Sequence, residues 1–168
     1  PRPRKFNLFL IFVILLLAYP SCSLSAQTKG EEEMAALEEV LGTNVNFNGD
    51  TLALVARLDS VKLLAEAERS VPLKWAYYML MADGFSIAFD RVNPITDRYY
   101  RLARELASSP KTRELLQVGL MRQGYYHFIY RDVSRAIPFF LRADDMDQEV
   151  DLGKVPNITE NYGFSAGF

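Results

Sequence analysis

The chain has 168 residues, of which 49% are hydrophobic, 24% charged and 12% aromatic. That composition belongs to a core-forming protein and excludes wholesale disorder or a low-complexity fibre. The 19 basic and 21 acidic residues leave a net charge of −2, no footprint for wrapping nucleic acid. A single cysteine, Cys22, excludes an internal disulfide and a multi-cysteine zinc site, and a single histidine, His127, leaves little for histidine chemistry.

Arg2, Arg4 and Lys5 precede an apolar run from Leu8 to Ala18. Tyr19-Pro20 then leads into small and polar residues from Ser21 to Ala26. A charged start, a short apolar middle and a small-residue exit have the form of a secretory signal peptide. Residues 1–26 are therefore expected to be an export leader, cut after Ser25 or Ala26. As a helix the run would be about 16 Å long, roughly half the hydrocarbon core of a bilayer, and so too short for a permanent span. Cys22 offers another outcome, lipidation at a new N-terminus, with Ser21 as the small residue before it. Tyr19 and Pro20 fit that pattern poorly. Either route predicts an exported chain, periplasmic or anchored to the membrane and facing the periplasm. Without the leader's three positive charges, 16 basic residues face 21 acidic ones, a net charge of −5, and no cysteine is left.

Residues 27–40 read as an N-terminal lead, with Glu31 to Glu33 suited to the positive end of a helix. Helical spacing follows. Leu54, Leu58, Val61, Leu64 and Ala65 recur every three or four residues. Tyr77, Leu80, Met81, Gly84, Phe85 and Ala88 do so again, as do Tyr99, Leu102, Ala103 and Leu106, and then Leu115, Val118, Gly119 and Arg122. No stretch alternates long enough for a strand. Pro72 is expected to close one segment, Asn93-Pro94 to cap and open another, and Ser108-Ser109-Pro110 to end it. Helices of this length with short joints predict antiparallel hairpins.

The hairpins repeat. Gly124 is followed at offsets of 12, 16 and 19 by Ala136, Phe140 and Ala143; Gly84 is followed at the same offsets by Thr96, Tyr100 and Ala103. An earlier, degenerate copy places Ser60, Leu64 and Ala67 at the same internal spacing, and a last, partial copy starts near Gly163. A glycine on the first helix lets the second come close, and small and aromatic residues on one face of the second set and fill the gap. One hairpin cannot cover its own apolar face, so copies must stack.

These residues resemble the tetratricopeptide repeat, best in the stretch from Gly124 to Ala143, where Arg131-Asp132 stands at the family's inter-helix turn. The resemblance implies an all-α fold of antiparallel helical hairpins stacked as a right-handed superhelix over residues 41–168, with copies at about 41–74, 77–110 and 117–150 and a partial one at 156–168. The spacing of about 40 exceeds the family's usual period. Asp83 and Gln123 stand where it prefers a large apolar residue, and Pro138 falls inside an expected helix and should bend it or delay its start. An opening helix without its partner near Phe168 leads us to expect a piece of a longer protein.

Chemistry-bearing motifs are sparse. His127 lies in a helical GYYHFIY stretch and reads as a packing residue. There is no HExxH, CxxC, Walker or GxGxxG motif. The acidic run from Asp144 to Asp151 has Val150 where a calcium loop needs glycine and Pro156 where it needs a bidentate Glu, so it reads as a solvated loop. The sequon at Asn157 reads as chance. No catalytic activity, cofactor or metal is expected.

A binding surface is what the resemblance implies. The concave side of such a superhelix is lined by the first helix of each hairpin. Tyr78, Met81, Phe85 and Phe89 would face it from one copy, and Val118, Met121, Tyr125 and Phe128 from the next. Arg57, Arg91, Arg122 and Arg131 would be available for charged partner groups. The expected function is a non-catalytic scaffold that binds a protein or peptide. The alternative is the extracytoplasmic sensory part of a larger bacterial membrane signalling protein, of histidine-kinase or transcriptional-regulator type. An accessory or carbohydrate-uptake role would need exposed tryptophan, and Trp75 is the only one.

Overall fold

The computed structural model describes residues 32–33, 35–37, 39–40 and 50–147. The expected leader with Cys22, and the expected partial copy at 156–168, lie outside the described residues. Every element among them is helical: α1 (Thr51–Ala67), α2 (Val71–Phe89), α3 (Pro94–Leu106), a short 3-10 turn (Pro110–Thr112), α4 (Arg113–Ile129) and α5 (Val133–Asp147). Helical residues 32–33, 35–37 and 39–40 precede them, with Leu37 and Val40 buried in the core.

α1, α2 and α3 each begin where a side chain satisfies free amides of the first turn. Asp50 accepts from the amides of Leu52 and Ala53 at the start of α1. Ser70 accepts from Leu73 and in turn donates to Glu33. Asn93 accepts from Ile95 and Thr96, as its place before Pro94 predicts. Pro72 differs from expectation. It sits in the first turn of α2 and opens that helix, because the missing amide costs nothing there. Pro138 does not delay the start of its helix: α5 begins at Val133 and runs through it to Asp147, with Pro138 on the exposed side, and Asp144 and Asp145 are helical, not looped.

Three helices end on a residue with a left-handed backbone, and none of the three is glycine: Arg69 (φ 51°), Asp90 (φ 48°) and Arg131 (φ 61°). After α4 the amide of Arg131 donates to Phe128 and that of Asp132 to His127, so both free carbonyls are taken up. Arg69 and Ser70 repeat this after α1, donating to Glu66 and Ala65.

Packing follows chain order. α1 lies on α2, α2 on α3, and α4 on α5, while α3 meets α4 less extensively and α2 touches α4. Leu54, Leu58, Trp75, Ala76, Met79, Ala82 and Ala103 are fully enclosed in the main core. Leu120, Ala143 and Met146 form a second, smaller cluster between α4 and α5.

The two glycines that anchor the repeat behave differently. A Cβ on Gly124 would lie 2.8 and 2.9 Å from the ring of Phe140, on the second helix of the same hairpin, as the repeat predicts. A Cβ on Gly84 would instead strike Leu54, 2.6 Å from its Cδ1, on the preceding helix. The degenerate first copy does not pack in its expected register. Ser60, Leu64 and Ala67 are exposed, and α1 turns Leu54, Leu58 and Ala65 inward.

Candidate functional site

α2 is apolar on nearly every side, so three neighbours compete for it and its remaining rings reach the surface. Tyr78 and Phe85 lean toward α3, where both meet Tyr99, with ring centroids 6.3 and 5.7 Å away; Phe85 and Tyr99 stack with planes 10° apart. Phe89 stacks on Phe85 at 5.9 Å, and Tyr77 lies 5.5 Å from Tyr78. The five rings form a strip along the α2–α3 junction, half-buried except for the more exposed Phe89.

One end of the strip opens into a cleft of about 290 Å³ between α1, α2 and α3. Lys62, Ala65 and Glu66 line it from α1, Lys74, Tyr77 and Tyr78 from α2, and Arg98, Tyr99 and Leu102 from α3. The Tyr77 hydroxyl is pushed up to about 12, first by burial, then by the nearby Tyr99 and Asp59. A hydrogen bond with the Tyr99 side chain adds to the rise, so this hydroxyl is protonated at neutral pH and engaged with Tyr99.

The face turned toward the second hairpin is polar and closed. The Tyr100 hydroxyl donates to Asp83 Oδ1 at 2.7 Å, and Arg122 pairs with Asp83 Oδ2 at 3.0 Å. Burial, with Asp83 beside it, holds the Tyr100 hydroxyl well above the ordinary tyrosine range. Asp83 is thus held between a hydroxyl donor and a guanidinium at this seam. The Asn93 amide donates to the Tyr126 hydroxyl at 2.7 Å, and the Tyr130 hydroxyl donates to the Ser86 carbonyl at 2.9 Å. His127 is 2% exposed. Its Nε2 is 3.5 Å from Asp97 and its Nδ1 3.7 Å from Asp132; Arg135 reaches both acids, at 3.7 and 3.2 Å. Its ring stacks on Phe139. Burial lowers the His127 pKa, outweighing the two acids that would raise it. His127 is thus buried in the seam where α3, α4 and α5 meet.

The sequence-derived groove is only partly assembled. Met81, 1% exposed, and Val118, 3% exposed, are interior and drop out of any open surface, because the helices packed around α2 and α4 cover them. Tyr78 and Phe85 are half-buried and face the flank of α3; Phe89 is exposed beside them. Met121 is half-buried against the second cluster. Tyr125 is half-buried and Phe128 exposed, both on α4. Among the arginines, Arg122 is engaged with Asp83, whereas Arg57, Arg91 and Arg131 are exposed. Trp75 is fully enclosed and offers no ring to a ligand.

The residues missed by sequence reasoning are Lys62, Glu66, Lys74, Tyr77, Arg98 and Tyr99. A signal was present. Lys62/Glu66, Lys74/Tyr78 and Arg98/Leu102 each stand four apart, which puts each pair on one helix face. What was lacking was the knowledge that three separate faces converge.

Among the described residues, no group of three or more His, Cys, Asp or Glu side chains could hold a metal, and no helix is long and apolar enough to cross a membrane. No family model, no curated protein and no solved structure matches the chain.

Proposed function

We propose that this chain is a non-catalytic interaction scaffold, built as tetratricopeptide-like hairpins stacked in a superhelix, that binds a peptide segment of a protein partner. The observation that supports this reading best is the strip of five rings that runs open along α2 and α3 into the cleft. Rings held by neighbouring helices give a partner a large contact area at little entropic cost, because they are already ordered. The sequence of neighbour-on-neighbour helix packing supports the repeat architecture. The leader supports export as the setting for this binding, and the mass of the mature N-terminus tests it: a start near Gln27 marks cleavage, and a lipid-bearing start at Cys22 marks anchoring.

The binding itself is tested by selection from an unbiased displayed-peptide library against the full chain. The expected result is a set of peptides with micromolar affinity, roughly −8 kcal/mol. A Phe85→Ser, Phe89→Ser double variant, shown to be folded by circular dichroism, should lose most of it. Peptides that bind the variant as well as the parent would place binding elsewhere and defeat this reading.

A further inference from the structure

We propose that the cleft between α1, α2 and α3 receives an acidic segment of the partner, with two neighbouring carboxylates held by Lys62, Lys74 and Arg98 and an apolar residue laid against Tyr78 and Tyr99. The inference rests on the peptide-binding reading and names the chemistry of what is bound.

Charge carries the argument. Three cations line the cleft against one carboxylate, Glu66. None of the three has an ion-pair partner among the described residues. The whole chain is negative, so this is a local inversion of sign. The cations come from three different helices, one for each wall of the cleft, so they can hold two neighbouring carboxylates from different sides. Glu66 in the lining, and Asp59 close enough to act on Tyr77, would repel a concentrated double charge most.

The rest of the lining agrees. The Tyr77 hydroxyl, protonated and hydrogen-bonded with Tyr99, adds an uncharged polar group to the wall. Ala65, Leu102 and the rings of Tyr78 and Tyr99 give an apolar wall next to the cations. About 290 Å³ lies at the lower end of small-molecule sites and suits a few side chains better than a cofactor. Tyr78 and Tyr99 also belong to the ring strip, so a peptide anchored here can continue toward Phe85 and Phe89.

The test is fluorescence anisotropy of the full chain with a dye-labelled octapeptide, Gly-Ser-Phe-Glu-Glu-Leu-Gly-Ser, beside versions carrying Gln-Gln or a single phosphoserine in place of Glu-Glu. The Glu-Glu peptide should bind about tenfold more tightly than Gln-Gln, and raising salt from about 50 to about 500 mM should erase the gap. Lys74→Gln and Arg98→Gln should each weaken the Glu-Glu peptide about three- to tenfold and leave Gln-Gln unchanged. Both side chains are on exposed positions, and an unchanged circular dichroism spectrum confirms the fold of the variants. Equal binding of Glu-Glu and Gln-Gln would overturn the acidic inference while leaving peptide binding intact. Preference for the phosphoserine peptide would overturn it as well. Failure of all three peptides, with failure of the unbiased selection, would remove both readings together.

Discussion

Gly84 and Gly124 stand forty residues apart at matching points of α2 and α4, yet the groups that fill the space beside them come from different directions. Phe140 covers Gly124 from within the hairpin; Leu54 covers Gly84 from the helix before it. The glycine does the same service in both, letting a bulky neighbour approach to a distance no Cβ would permit. The identity of the neighbour is set by the next-best apolar face available. α2 has α1, α3 and α4 around it, whereas α4 leans chiefly on α5. A repeat in sequence can thus carry different contacts in each copy.

The largest disturbance to this contrast comes from Trp75, which packs in the main core with its Nε1 3.7 Å from where a Gly119 Cβ would sit, so it serves both α2 and α4. Trp75→Ala should cost about 3–5 kcal/mol, read from urea unfolding, and destabilise both hairpins together. Two separate transitions, with only one shifted, would show that the hairpins are energetically independent.

Gly84→Ala and Gly124→Ala sharpen the comparison directly. Leu54 is fully enclosed and has nowhere to go, so Gly84→Ala should destabilise by about 1–3 kcal/mol despite the gain in helix propensity. Phe140 is half-buried and can swing outward, so Gly124→Ala should fall within about 1 kcal/mol of the parent. A Leu54→Ala, Gly84→Ala double variant should lose less than the sum of the two single changes. Strict additivity would mean that the two residues do not meet.

The seam between the hairpins should respond to pH. His127 has its folded pKa below the ordinary 6.5. The unfolded chain therefore takes up this proton first as pH falls, and stability should drop as pH goes down from 6.5, being full above it. Asp97 and Asp132 pull the other way, and Arg135 and Arg104 oppose them. His127→Gln should flatten that part of the stability–pH curve. An unchanged slope would locate the proton elsewhere.

The smallest effect is a gain. Arg131 holds a left-handed backbone in the turn between α4 and α5, so Arg131→Gly should raise the melting temperature, by about 0.5–1 kcal/mol in stability terms.

Much of the fold was legible in local signals. The capping role of Asn93, the helical spacing, and the pairing of Gly124 with Phe140 follow from short-range rules with one physical solution each. Pro72 misled because proline fits both the first turn of a helix and the stretch just past its end, and only Ser70 beside it decides. Met81 and Val118 misled for another reason. On helices that are apolar on several sides, spacing says that a residue faces something but not whether that something is solvent or a neighbour. The cleft was illegible because it needs α1, α2 and α3 to converge, and its cations look like ordinary solvated lysines and arginines in one dimension.

The bond from the Asn93 amide to the Tyr126 hydroxyl has a mechanical consequence. It ties the start of α3 to the far end of α4 across the less extensive of the sequential interfaces. Apolar faces slide under load and yield gradually, whereas a hydrogen bond of this kind holds and then snaps within a fraction of an ångström. Stretched from its two ends, this molecule should part along that seam in one abrupt step, as this tie, the Tyr130–Ser86 bond and the Arg122–Asp83 pair give way together and release α4 and α5 as an intact pair.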